Sequence, residues 1–176
     1  MASATPSTSS RPTSPRSSSN SPSRRPICPH DSRLVHHRAH LKGAPATVFQ
    51  AFADREAKQK WFGGPPDWDH LGYELDFRVG GHESDRGGPK GGWVSAFYAT
   101  DYDIVPDERI VYAYEMYLDD ARISVSLASF EFHAEGTGTR LVMIEDGIYL
   151  DGYDDAGKRK EGSRWLIGAL AASLGE

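Results

Sequence analysis

Cysteine is almost missing from this 176-residue chain: Cys28 stands alone, so no disulfide can close within one molecule. Stability must then come from a packed core, and the composition suits a reducing, cytoplasmic setting. Long apolar runs are missing as well. No stretch approaches the roughly 18 apolar residues of a membrane span, so insertion by a helix is not expected. Acidic side chains are absent from residues 1–30, which hold Arg11, Arg16, Arg24 and Arg25. The net charge of −5 therefore leaves residues 31–176 at −9. A domain that acidic repels phosphate backbones, and nucleic acid is not an expected partner.

Residues 1–33 have almost nothing that can pack. Ser, Pro, Thr and Arg dominate, and such a segment cannot offset its ordering entropy, so it reads as a disordered tail. It has no apolar core of a secretory signal. Its arginines and serines resemble a transit peptide, but six prolines oppose the amphipathic helix such peptides form. The domain is expected to span residues 34–176.

What is plentiful is aromatic: four Trp, eight Tyr and seven Phe, which must be buried in a core or around a ligand. Their spacing gives the elements. Leu34–Leu41 suits a strand, Pro45 opens a helix carrying Val48, Phe49 and Phe52, and a second short helix runs to about Trp61 before Gly63-Gly64-Pro65-Pro66. Alternation then predicts strands. Tyr73, Leu75, Phe77 and Val79 share one face up to Gly80-Gly81, and His82–Arg86 returns as a short polar strand. A longer strand starts near Trp93 and passes Phe97. Arg109–Tyr117 follows, with Ile110, Tyr112, Tyr114 and Met116 on one face and a turn at Asp119-Asp120.

The next segment shifts phase. Ile123, Val125 and Leu127 alternate, then Phe130 and Phe132, which predicts a bulge near Ala128-Ser129. Thr139–Glu145 forms the last strand. Leu166, Leu170 and Leu174 recur at four, with Trp165 and Ile167 beside them, so Lys158–Leu174 is an amphipathic helix stopped by Gly175. The sum is an α+β helix-grip fold: one antiparallel sheet of about six or seven strands wrapped around a long C-terminal helix, with two short helices after the first strand.

Four blocks carry a family resemblance: Ala44–Trp68, Tyr73–Ser84 with its Gly-Gly hairpin, Pro106–Met116 with its Pro-x-Glu-Arg turn, and Asp151–Leu170. Their order resembles the SRPBCC/START-like (Bet v 1-like) superfamily, in its Hsp90-ATPase-activator-homologue branch. His82 stands where relatives often carry Arg, and Gly162 and Gly168 each lower helicity by about 1 kcal/mol relative to Ala. The resemblance implies a cavity under the long helix, and with it binding of a small apolar or aromatic molecule that is lipid-, steroid- or polyketide-like. Chaperone activation is not carried over, because residues 1–33 are too short and polar to form the extra domain it involves.

The cavity is expected to be lined by Trp93, Phe97, Tyr112, Tyr114, Met116, Phe130 and Phe132, with Trp61 and Trp165 closing its ends. The bland alternative is that these side chains fill a core. Two other functions compete: a polyketide cyclase/dehydratase-like enzyme, and a co-chaperone-like interaction module. An enzyme needs a carboxylate against a tyrosine, and Glu145 is the candidate because it shares the face of Leu141 and Met143. The preferred reading of Glu145 is a strand-end glutamate in solvent.

Metal and cofactor are not expected. His36 and His40 of HHRAH share a strand face but lie roughly 13 Å apart along it, too far for one zinc with ligands about 2 Å away. The glycine-rich GGPKGG at Gly87–Gly92 lacks Walker spacing and reads as a hairpin loop, and no Gly-x-Ser-x-Gly elbow occurs. The expected state is a monomer or homodimer.

Overall fold

A computed structural model describes residues 31–175. Readings that concern residues 1–30 lie outside them. The chain runs β1 (Asp31–Lys42), α1 (Pro45–Ala53), α2 (Arg55–Lys58), β2 (Trp68–Leu75), β3 (His82–Pro89), β4 (Ser95–Val105), β5 (Arg109–Leu118), β6 (Ala121–Glu135), β7 (Gly138–Tyr149) and α3 (Ala156–Ser173). The seven strands form one antiparallel sheet in the order β1-β7-β6-β5-β4-β3-β2, the α+β helix-grip arrangement. From β2 to β7 each strand pairs with the next, and β1 closes the other edge against β7. β1 begins at Asp31, three residues before the boundary expected at Leu34.

Local chemistry places the helices. Pro45 supplies a preset φ at the first turn of α1, which buries Val48, Phe49, Ala51 and Phe52. Asp54 is extended and ends α1, and its carboxylate accepts from the Ala57 N–H at 2.8 Å to start α2. One residue thus breaks one helix and caps the next. Asp155 does the same work for α3, accepting from the N–H groups of Gly157 and Lys158. α3 packs beside β1, while α1 sits over β6 and β7.

Three expectations need correcting. The strand read over Tyr73–Val79 ends at Leu75. A tight turn replaces its second half, with the Asp76 N–H donating to His82 O and the Gly81 N–H to Arg78 O. A Cβ on Gly81 would meet the Asp76 carbonyl at 2.0 Å, so glycine is required there. Phe77 still reaches the core edge-on to Phe49, but Val79 sits at the tip, 57% exposed. Alternation alone cannot see a turn that happens to keep the period.

β4 starts at Ser95 rather than near Trp93, because Asp119 pulls the chain round: its carboxylate accepts from the Val94 N–H at 2.8 Å.

The third correction concerns β6. No phase slip occurs at Ala128-Ser129. The inward set is Ser124, Ser126, Ala128, Phe130 and Phe132 throughout, while Val125 and Leu127 face outward, Leu127 being 53% exposed. The irregularity falls earlier: Met116 pairs with Ser124 and Tyr117 with Arg122, leaving Ile123 as the extra residue. The alternation groups Ile123, Val125 and Leu127 on one face and needs a slip to reach Phe130 and Phe132. The fold needs none there, because Ser124, Ser126 and Ala128 are the buried set.

Candidate functional site

Small side chains are grouped on the inner face of the middle strands. Ala99 of β4, Ser124, Ser126 and Ala128 of β6, and Gly147 of β7 lie on the inner face between larger neighbours. A cavity of about 760 Å³ lies between the sheet, the α2 region and α3.

Of the residues expected to line it, Trp61, Phe97, Tyr112, Tyr114, Met116 and Phe130 are on the wall. Trp61 is buried and fixed by its Nε1–H, which donates to Ala51 O at 2.8 Å. It is therefore a wall rather than a gate. Trp93 and Trp165 also line the cavity but are 42% and 46% exposed, which makes them its mouth together with Tyr153. Trp93 stands edge-on to Trp68, with ring centroids 4.9 Å apart. Phe132 is the exception. It packs on Phe49 and Phe52 of α1 in the core and is not part of the wall.

Two polar clusters interrupt the aromatic wall. The first is built on Arg159, one turn into α3. Its guanidinium donates to Tyr114 Oη at 3.1 Å, to Ser124 Oγ at 2.7 Å and to Asp154 at 2.6 Å, and its Nε lies 3.7 Å from Glu145. Burial works against the charge of Arg159, but Tyr114, Glu145 and Asp154 together hold its pKa above the ordinary value. Burial raises the Tyr114 phenol, with Glu145 adding to the effect and Arg159 opposing it.

Glu145 is not in solvent, contrary to the expectation: it is 0% exposed, on the cavity wall. Its Oε1 accepts from Ser126 Oγ at 3.0 Å, and its Oε2 has no partner among the described residues. The Tyr149 hydroxyl beside it is equally buried and unpartnered, and burial followed by the Glu145 charge pushes its pKa up to about 12. A Cβ on Gly147 would stand 2.9 Å from Ser126 Oγ and 3.0 Å from the Tyr149 hydroxyl, so the missing side chain gives this cluster its room.

The second cluster lies where α2 meets β3. Lys58 is buried and 2.5 Å from Glu83, which also accepts from the Tyr73 hydroxyl at 3.0 Å. Lys58 and Asp85 are on the cavity wall, and the Lys58 ammonium sits 5.0 Å from the Phe62 ring centroid. Burial raises the carboxyls of Asp85 and Asp101 to about 6, with Glu83 adding to it, while His70 and Lys58 respectively oppose it.

The native state therefore keeps the Asp101 proton over a range where the unfolded chain, near the ordinary 3.8, has lost it. The associated stability is present below about pH 4 and lost as pH rises through 6. Asp101→Asn is expected to raise Tm at pH 8 and to leave it unchanged at pH 4. An equal shift at both pH values, measured by differential scanning calorimetry, contradicts this origin.

Sequence reasoning missed Arg159, the inward serines and Lys58. Extending the stripe of Leu170 and Leu166 backward by one turn at a time reaches Ser163 and Arg159, so the helix did carry a signal. Continuing the Phe132-Phe130 alternation backward reaches Ser126 and Ser124. Lys58 had no signal, since a lysine on a four-residue helix is ordinarily exposed. His36 and His40 point to the outer face and His37 inward toward α3, where burial, then Arg164 and Lys160, lower its pKa. Among the described residues no group of three or more His, Cys, Asp or Glu is arranged to hold a metal, and no helix is long and apolar enough to cross a membrane.

Comparison with known proteins places this geometry. Residues 42–175 match the family described as Activator of Hsp90 ATPase homolog 1-like protein. The solved structure of an uncharacterised protein from Rhizobium leguminosarum is 40% identical, with a TM-score of 0.80 over 84% of this chain and 97% of that one. The Mll3558 protein from Rhizobium loti is 37% identical, with a TM-score of 0.77 over 83% of this chain and 99% of that one. An AHSA1-like protein from Aeromonas hydrophila shares the fold at 17% identity, with a TM-score of 0.61 over 81% and 92% of the two chains. No curated protein matches the chain.

Proposed function

The chain belongs to the Activator of Hsp90 ATPase homolog 1-like family, within the SRPBCC superfamily, and on that premise we propose that it binds a small apolar or aromatic molecule in the cavity beneath α3. The observation that carries this reading is the cavity of about 760 Å³ walled by Phe97, Tyr112, Tyr114 and Phe130. Sites for drug-sized molecules commonly occupy about 300–1,000 Å³ and combine apolar walls with a few polar groups. A molecule seated there exchanges water for aromatic faces, and the Tyr112 hydroxyl, without a hydrogen-bond partner among the described residues, orients it.

A thermal-shift screen against fatty acids, steroids, flavonoids and polyketide-like aromatics tests the reading. A binder at about 100 times its Kd adds roughly 2.7 kcal/mol, a rise of several degrees for a chain of this size. Silence across every class removes the proposal.

One observation favours a second reading, a cyclase/dehydratase-like enzyme. Glu145 is buried on the wall, and the register runs Glu145–Ala128–Tyr112 across three strands, so a carboxyl and a phenol face the cavity across an alanine. That pair supplies what proton transfer to a bound carbonyl compound requires. Turnover of a bound aromatic by the wild-type protein, abolished in Glu145→Gln with binding retained, selects this reading. Binding without turnover selects the first.

A further inference from the structure

The charge that the cavity accepts follows from which of its polar groups are already engaged. Two cations line its interior, and both are committed. Every nitrogen of Arg159 has a partner: Nη1 donates to Tyr114, Nη2 donates to Ser124 and Asp154, and Nε lies 3.7 Å from Glu145. Lys58 is held 2.5 Å from Glu83 and capped by the Phe62 ring. A third cation, Lys158, stands outside at the mouth, its side chain 63% exposed and 3.7 Å from Asp155.

The charged groups left over are carboxylates, while the indole N–H groups of Trp93 and Trp165, free among the described residues, stand at the mouth. Glu145 Oε2 is fully buried without a partner. Asp85 lines the wall with no hydrogen bond or ion pair among the described residues, only the electrostatic influence of His70 and Glu83. The Tyr112 hydroxyl between them can donate or accept. Glu145 is on β7 and Asp85 on β3, four strand spacings or about 19 Å apart across the sheet, and the register sets Asp85 level with Met116 of β5, about 13 Å along the strand from the Tyr112 that is level with Glu145.

On the reading of this cavity as a ligand site, we propose that it selects an uncharged aromatic molecule that donates hydrogen bonds at both ends, and that it refuses anions. A phenol or aromatic amine satisfies the orphan oxygen of Glu145 at one end and Asp85 at the other. A carboxylate brings a second negative charge against them, with no uncommitted interior cation to meet it.

Three matched stilbenes test this on the full chain by isothermal titration calorimetry at pH 7.5: 4,4'-dihydroxystilbene, its dimethyl ether, and stilbene-4,4'-dicarboxylate. They share a core and differ only in what their ends offer. The diphenol is expected to bind at least about tenfold tighter than the ether, as a hydrogen bond to a charged acceptor permits, and the dicarboxylate weakest. Glu145→Gln and Asp85→Asn, one at each end, are each expected to narrow the gap between diphenol and ether while the ether's own affinity holds. Two variants are used so that misfolding of one leaves the other to report. Equal affinities, or tightest binding of the dicarboxylate, overturn the inference and leave the ligand-site reading standing. Failure of all three to bind overturns the inference, and the ligand-site reading falls with it only if the thermal-shift screen is silent in every class.

Discussion

Replacing Arg159 with Met is expected to lower Tm by roughly 10 °C. The methionine matches the stem in volume but leaves Asp154, Ser124, the Tyr114 hydroxyl and the buried Glu145 without their shared donor. Removing one partner of a buried charge pair costs about 3–5 kcal/mol, because the other charge stays desolvated. A chain of this length loses about 2–4 °C per kcal/mol. The cause is separable from packing. Adding Glu145→Gln to Arg159→Met should recover part of the loss, since the uncompensated carboxylate is then gone. Thermal unfolding followed by circular dichroism reads both. A drop under about 3 °C for the single variant, or no recovery in the double, rejects Arg159 as the keystone of the cluster.

Phe52→Ala should cost a comparable amount through apolar packing instead. Phe52 is 2% exposed, with ring centroids 4.9 Å from Trp61, 4.9 Å from Phe130 and 5.3 Å from Phe132. Its deletion enlarges a space that is already unfilled, so the neighbours cannot close it, and about 3–5 kcal/mol is expected. Trp165→Ala is the control. The indole stands at the mouth, half-exposed, so its loss should move stability by no more than about 0.5 kcal/mol while weakening ligand binding several-fold. Urea unfolding and ligand titration of both variants separate the two roles. If Trp165→Ala unfolds like Phe52→Ala, Trp165 belongs to the core and the mouth lies elsewhere.

The candidate site was partly legible before any coordinates. Tyr112 and Tyr114 sit on the wall because β5 keeps strict alternation from Arg109 to Tyr114, and a strand with one buried face has no other register. Glu145 was found by the same rule, since it shares the face of Leu141 and Met143, but its environment was misjudged. The last strand was expected to end at Glu145, where a carboxyl is ordinarily solvated. β7 instead runs on to Tyr149, which sets Glu145 within the sheet, and Arg159 approaches it from α3, only 14 residues away in the chain but on another element. Ser124 and Ser126 carried no assignment, because the alternation of Ile123, Val125 and Leu127 passed over them. Here the same guanidinium and carboxyl give them partners, so burial costs them nothing. Lys58 follows the same logic with Glu83.

The sequence by itself determined the elements, their order and the family, because periodicity, caps and turn residues act within a few positions of one another. It also determined most of the aromatic wall, since the strand period decides which rings share a face. Only the tertiary structure decided which of those rings leave a space and which fill one. Phe132 closes the core because α1 brings Phe49 and Phe52 onto it, while Phe130 borders the cavity, and nothing in their own segment decides this. The polar clusters were decided there too. A buried charge is tolerated only where its partner is brought to within a few ångströms, and the partners of Glu145 and Lys58 come from elements that meet only when the chain is folded.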